Sequence, residues 1–267
     1  MKMKQLLQAF LLSLSIWLSG CYTVPQTGRS ALNLYPDEQL ASMSALQFDK
    51  LKQETPISRD PEYNAMMQRV GKRIAYVARE DIPDVQWEFV VFDDDSQINA
   101  FAMPGGKVAA YTGIFKVART EEELAVVIGH EIAHVTAKHG NERLSQQSVL
   151  AGGALALQIG ISEWSQSNRE LLLAAFGAGA TFGVILPYSR HHESEADEIG
   201  LIYAAKAGYD PRAAITFWQR MEAEKNQSVP EFLSTHPTGE TRIKRLNEMM
   251  PKAFRLYEQS SILDAEF

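Results

Sequence analysis

The sequence predicts an α+β fold, mainly helical, with a small antiparallel sheet beside its central helix, and three observations carry that prediction. Apolar residues recur at helical spacing through most of the 267 residues. One short region, residues 86–112, reads as strands instead and contains a Pro-Gly-Gly reversal. The composition, 45% hydrophobic and 22% charged, is that of an ordinary globular domain. The formal net charge is −7, and no Lys/Arg cluster interrupts it. Nucleic-acid binding is therefore not expected, because neutralising phosphates needs clustered basic residues.

Residues 1–20 differ in kind from the rest. Lys2 and Lys4 give a positive start, residues 6–17 are apolar apart from Gln8, Ser13 and Ser15, and Leu18-Ser19-Gly20 precedes Cys21, the only cysteine. That order is a secretory signal. Leu18-Ser19-Gly20-Cys21 also resembles the lipobox of bacterial lipoproteins, which implies a lipidated Cys21 holding the chain on a membrane without spanning it. Tyr22, where an Asp would favour inner-membrane retention in a Gram-negative cell, implies sorting to the outer membrane, facing the periplasm. Residues 22–35, with Pro25 and Gly28, read as a tether.

Helical spacing then marks residues 37–52 (Leu40, Met43, Leu46, Phe48, Leu51), with Asp37 as the expected cap, and residues 61–79 (Met66, Val70, Ile74, Val77). The period changes at Gln86-Trp87-Glu88-Phe89-Val90-Val91-Phe92, a strand closed by Asp93-Asp94-Asp95, which reads as a solvated turn because the remaining spacing of a calcium loop is missing. Asn99-Ala100-Phe101-Ala102-Met103 and residues 107–112 flank Pro104-Gly105-Gly106, a tight reversal. Thr120 is a good N-cap for the next helix, and Glu121, Glu122 and Glu123 suit its first turn. That helix is expected to run to about His139 and to end at Gly140. Residues 149–161 and 171–186 are two Ala/Gly-rich apolar stretches. Each is shorter than the roughly 20 residues that cross a bilayer, so buried core helices are expected, with a membrane-dipping hairpin as the alternative. A helix from about residue 210 carries Phe217, Trp218 and Met221, and a histidine loop leads to a charged terminal helix.

The chemistry begins at His130-Glu131-Ile132-Ala133-His134. Residues four apart share a helical face, so His130 and His134 can grip one metal ion while Glu131 reaches a water on it. All six histidines, at 130, 134, 139, 191, 192 and 236, lie after residue 129, a concentration that favours one metal site. A catalytic zinc takes three protein ligands and keeps one position open. His139 misses the register of a third histidine by one residue and is expected at the surface or behind the ligands. Glu193 and Asp197, four apart, can divide two tasks: one binds the metal, the other orients a ligand histidine, with Asp197 the natural acceptor for His130. Glu195 is expected to face solvent. His191 and His192, in the turn before that helix, are competing ligand candidates.

These residues resemble the M48 family of zinc peptidases, the group of Ste24, HtpX and Oma1. The likeness rests on His130 to His134, on Tyr188-Ser189-Arg190 ahead of Glu193 to Asp197, on residues 99–106, and on Thr235-His236-Pro237 with Arg242 downstream, in order over residues 60–250. The resemblance implies a zincin-type domain with one Zn²⁺ per chain on His130, His134 and Glu193, and Glu131 as general base. Lacking long spanning helices, the chain looks like the secreted, lipoprotein branch. On the family pattern His236 either donates to the oxyanion or closes the site as a fourth zinc ligand. Substrate is expected to add as a β-strand along Asn99, Ala100, Phe101, Ala102 and Met103.

The expected layout is a signal peptide (1–20), a tether (21–35), the peptidase domain (36–250) and a C-terminal tail (251–267). The expected function is endopeptidase action on unfolded or misassembled envelope proteins. A zinc-stabilised, chaperone-like client binder is the alternative. A purely structural metal or calcium protein would show four fixed ligands and no exchangeable water.

Overall fold

A computed structural model describes residues 20–225, 230–236 and 242–260. The expected signal peptide up to residue 19, Pro237, and residues 261–267 of the expected tail lie outside the described residues. The chain opens with a hairpin, β1 (Cys21–Thr23) and β2 (Ser30–Leu32), then α1 (Asp37–Glu54) and α2 (Pro61–Ala78). Three strands follow, β3 (Glu88–Phe92), β4 (Ala100–Met103) and β5 (Lys107–Tyr111), and then α3 (Glu121–Thr136) and α4 (His139–Gly160). Next, α5 (Gln166–Ala180), a π turn (Thr181–Ile185) and α6 (Leu186–Lys206) form one helical run. After it come α7 (Ala213–Lys225), α8 (Glu231–Thr235) and α9 (Arg242–Glu258).

The architecture is α+β and mainly helical, as predicted, with α3 at its centre. Leu124, Ile128 and Ile132 of α3 are fully buried, and Thr120 caps it by accepting from the Glu123 amide at 3.3 Å. Asp60 caps α2 in the same way, with Pro61 in its first turn. Asp37 does not cap α1; it is the first helical residue and pairs with Lys138 instead. Helices α3 and α6 cross at Gly129 and Gly200. A β-carbon on Gly129 would lie 2.8 Å from the Gly200 carbonyl oxygen, and one on Gly200 would lie 2.7 Å from the His130 nitrogen. Only glycine permits this approach, and it sets the distance between the helix that carries His130 and His134 and the helix that carries Glu193 and Asp197.

The sheet order is β3-β5-β4. The β4–β5 hairpin is antiparallel, as expected, and turns through Gly105 and Gly106 at φ 83° and 84°. The β3–β5 pair is parallel, so the sheet is mixed. After β3 the chain crosses to the far side before β4, and the hairpin then returns β5 between them, running with β3.

Four further expectations change. The motif helix stops at Thr136, because Lys138 takes a left-handed conformation (φ 55°) and α4 begins at His139 with Gly140 inside it. Residues 21–35 pack on the domain: Val24 and Ala31 are buried, and the Tyr22 hydroxyl donates to the Thr136 carbonyl at 2.9 Å. The stretches 149–161 and 171–186 are not core: apart from Ile161, none of their described residues is buried. No residue of α5 is buried, and Leu155, Ile159 and Leu171 are 59%, 67% and 72% exposed. Finally, residues 166–206 form one helix long and apolar enough to cross a membrane by length and composition, none of whose apolar window is buried. Apolar residues on every side of a helix carry no one-sided stripe, so periodicity alone does not distinguish core from exterior.

Candidate metal centre

Helix α3 presents His130 and His134 one turn apart, and α6 presents Glu193 and Asp197 opposite them across the Gly129–Gly200 crossing. Short helix α8, whose Phe232 amide donates to the Ile98 carbonyl at 3.1 Å, ends at His236 and brings it to the same place. One ligand atom from each of His130, His134, Glu193 and His236 lies within 4.8 Å of every other. The Nε2 atoms of His130 and His134 are 3.1 Å apart, and His236 Nδ1 stands 3.2 Å from His130 Nε2 and 3.1 Å from Glu193 Oε2. Glu193 Oε2 is 3.2 Å from His130 Nε2, and its Oε1 is 3.5 Å from His134 Nε2.

Donor and acceptor logic explains what this arrangement holds. His130 Nδ1 donates to Asp197 Oδ1 at 3.0 Å, because a carboxylate only accepts. Glu195 Oε2 likewise accepts from His139 Nε2 at 2.9 Å, so the neutral His139 presents Nδ1 as an acceptor to His134 Nδ1 at 2.8 Å. Both histidines thereby commit their Nδ1 hydrogens outward and turn Nε2 inward, toward each other and toward a carboxylate. That convergence is repulsive unless positive charge sits between the groups. The pKa values say the same. Burial by itself lowers the pKa of His130, but Asp197 and Glu193 lift it to about 9. Burial pushes His134 well below its usual range and His139 down to about 4. Glu193 is held far below the carboxylate range against its burial by His134, His130 and His236.

The donor set fits zinc. Ligands at ~2.0–2.1 Å around a tetrahedral zinc stand about 3.3 Å from one another, close to the spacings above. Glu131 adds a second sign. Its Oε1 is buried without a hydrogen-bond partner, 3.3 Å from His236 Nε2, while its Oε2 accepts from the Ala102 amide at 3.1 Å. Burial raises its pKa, which suits a carboxylate that must take up a proton.

The strand beside the site is β4. Tyr111 N donates to the Asn99 carbonyl, so in this register Phe101 and Met103 bond to β5, while the backbone groups of Ala100 and Ala102 point away from it. The amides on that outer edge are both engaged, Ala102 by Glu131 and Ala100 by the Asn99 side chain at 2.9 Å. Asn99 and Ala100 are buried, and Phe101 and Met103 pack against the Phe48–Phe92–Tyr111 cluster. A cleft of about 570 Å³, lined by Ala102, Pro104, Gly105, His134, Lys138 and Asn141 among others, leads to the site.

Two expectations about side chains are corrected, and a third is narrowed. Glu195 is buried and does not face solvent; Arg29, Thr27 and His139 all donate to it. His139 takes the second of its two expected places, buried behind His134, because the left-handed break at Lys138 turns it back toward that residue. His191 and His192 lie inside α6: His191 is exposed, and His192 stacks on His139 with ring centroids 4.2 Å apart and donates to Glu142 at 2.9 Å. Sequence reasoning also gave Arg242 no role in the site. Its Nε donates to Asp197 at 2.5 Å and its Nη2 to Glu193 at 3.2 Å, with the guanidinium 3.8 Å above Trp218. Clustering of the histidines was the one available signal for this wider network.

Residues 61–250 match the model of Peptidase family M48. The chain is 37% identical over 187 residues to the mitochondrial metalloendopeptidase OMA1 of Schizosaccharomyces pombe, covering 69% of this chain and 52% of the relative. It is 31% identical over 259 residues to the mitochondrial metalloendopeptidase OMA1 of Homo sapiens, covering 88% and 47%. With the putative beta-barrel assembly-enhancing protease of Vibrio cholerae it shares 36% identity over 199 residues, covering 72% and 40%. The chain thus spans about half the length of the curated relatives it matches.

Proposed function

This chain belongs to peptidase family M48, and on that premise we propose that it is a zinc-dependent endopeptidase acting on extended, unfolded or misassembled proteins of the cell envelope. The observation that carries the reading is the inward convergence of His130 Nε2, His134 Nε2 and the Glu193 carboxylate beside Glu131 Oε1, which is buried and makes no hydrogen bond. His130, His134 and Glu193 would hold one zinc ion. When bound, zinc supplies Lewis acidity that brings the pKa of water to about 7 and polarises a carbonyl.

The chain's own groups do the rest. Glu131 accepts a proton from the attacking water at Oε1 and passes it to the leaving amine. Its buried setting keeps bulk water from competing for that proton. Asp197, fixed by Arg242, holds His130 in the tautomer that faces inward. In this conformation His236 faces His130 and Glu193, so it would close the site as a further ligand of a bound ion, and swinging away would open the site and free His236 to donate to the oxyanion. An extended substrate lies along the outer edge of β4, reading the Ala100 and Ala102 carbonyls. For it to use the Ala102 amide, Glu131 must release that group, which ties substrate binding to freeing the base.

In this reading the chain sits on the periplasmic face of the outer membrane, held by acyl chains on Cys21. The beta-barrel assembly in the name of the Vibrio cholerae relative supports envelope substrates. Two further features support the membrane. Cys21 is exposed, and the apolar α4–α6 hairpin projects uncovered. Leu34 N bonds to Ser145 Oγ and the Tyr35 hydroxyl to Ser148 Oγ, so the N-terminal segment meets α4 near the base of that hairpin.

Casein digestion by purified residues 22–267 beside Glu131→Gln tests the activity. Losing the base should cost about 10²- to 10⁴-fold in rate with zinc retained. Equal client protection by both proteins, with cleavage in neither, would favour the chaperone-like reading.

A further inference from the structure

We propose that the metal centre has a second support, running through His139 to Glu195, Glu142 and Arg29, and that the N-terminal β1–β2 hairpin is thereby a positioning part of the site. The inference rests on the zinc reading above. His130 is oriented directly, by Asp197 backed by Arg242. His134 has no carboxylate of its own. Its Nδ1 meets His139 Nδ1 at 2.8 Å, and His139 Nε2 in turn meets Glu195 Oε2 at 2.9 Å. The carboxylate fixes the His139 tautomer, and that tautomer turns the His134 Nε2 lone pair inward.

Glu195 is itself held from outside the family-matched residues 61–250. Arg29 Nε donates to Glu195 Oε2 at 2.8 Å, and Thr27 Oγ1 donates to Glu195 Oε1 at 2.5 Å. The same guanidinium grips Glu142 with two bonds, Nη1 to Oε1 at 2.9 Å and Nη2 to Oε2 at 2.8 Å. Glu142 also accepts from His192, whose ring stacks on His139. Glu142, Glu195, His139 and His192 are each 4% exposed or less. Two buried carboxylates this close need a cation between them, and Arg29 is that cation. The two ligand histidines thus have parallel supports, each a carboxylate backed by an arginine, one from α9 and one from the hairpin.

The test is zinc affinity, read by chelator competition on the folded chain, with circular dichroism as the control for folding. Outer partners of metal ligands typically set affinity by 10- to 100-fold. Arg29→Met should weaken zinc binding by about that factor while the far-ultraviolet spectrum stays unchanged, and Arg29→Lys should recover part of the loss. Glu195→Gln, a change outside the hairpin that keeps an acceptor for Arg29 and Thr27, should weaken zinc by a similar factor, which keeps the test decisive if Arg29→Met unfolds the chain. Wild-type affinity in folded Arg29→Met and Glu195→Gln would overturn the proposal. Failure of the wild-type chain to bind zinc at all would instead overturn the metal reading beneath it.

Discussion

Arg29 is the residue whose loss should be felt most widely for its exposure. Glu142 is held down to about 2 from an ordinary 4.5, against its burial, by the His192 and Arg29 bonds. A carboxyl with a lowered folded pKa contributes stability that is complete above its unfolded value and is lost as pH falls through the folded one. That contribution is therefore present above about pH 4.5 and disappears between there and pH 2. Removing the guanidinium in Arg29→Met raises the folded pKa of Glu142, so the zinc-stripped variant should unfold at a higher pH than wild type in an acid titration followed by circular dichroism. Coincident midpoints would contradict the pairing. Arg242 makes a second case. It is 6% exposed between Glu193 and Asp197, and removing one partner of a buried ion pair costs about 3–5 kcal/mol. Urea unfolding of zinc-stripped Arg242→Met should show a loss of that order, against well under 1 kcal/mol for the exposed pair partner Lys50→Met. At this scale the i, i+4 rule was enough to put His130 with His134 and Glu193 with Asp197. Arg29 was not legible, since a lone arginine in a Pro/Gly-containing segment carries no periodicity. Its partners lie more than 110 residues away in sequence.

Among the elements, the α3–α6 crossing decides whether the ligands meet. A methyl group on Gly200 would fall 2.7 Å from the His130 nitrogen and 2.8 Å from the Gly129 carbonyl carbon, all backbone atoms with no room to yield. Overpacking of this kind costs about 1–3 kcal/mol. Because the strain separates α3 from α6, Gly200→Ala should also lose zinc affinity. A melting-temperature drop with unchanged zinc binding would show that the crossing does not set the site. Helix and strand identities were legible from periodicity and caps: Thr120 does cap α3, and Pro104-Gly105-Gly106 does reverse the chain. The end of α3 was not. Gly140 reads as a helix stop, yet the break occurs at Lys138, a residue with no intrinsic preference for the left-handed region. Asp37 pairs with Lys138 and the Lys138 ammonium lies 4.1 Å from the Tyr22 ring centroid, so tertiary contacts decide it. That single break placed His139 behind His134 rather than at the surface.

For the whole molecule, the exposed hairpin and the region around Cys21 bear on location. The charges of the hairpin, Glu163, Arg169 and Glu170, lie at its tip. Its first arm, residues 149–161, is about 20 Å long at 1.5 Å per residue, short of the ~30 Å hydrocarbon core. A flat pose in the lipid interface satisfies both facts better than tip-first insertion. Residues 22–267, which carry no lipid, should therefore float with phospholipid vesicles, and Leu155→Glu with Ile159→Glu should abolish flotation while leaving casein cleavage intact. Concentration-dependent dimers without flotation would assign the hairpin to a second copy of the chain. Overall class was legible because α/β patterning is local. The position of residues 149–186 was not, because the same Ala/Gly-rich apolar sequence suits a protein core and a lipid surface equally.

The central claim is that His130, His134 and Glu193 hold one metal ion for Glu131 to use. Zinc per folded chain, measured by mass spectrometry after exhaustive dialysis, tests it most directly in wild type, His130→Ala, Glu193→Ala and Glu131→Gln. The account predicts one zinc in wild type and Glu131→Gln and close to none in the other two. Zinc retained by His130→Ala, or absent from the folded wild-type chain, would contradict it.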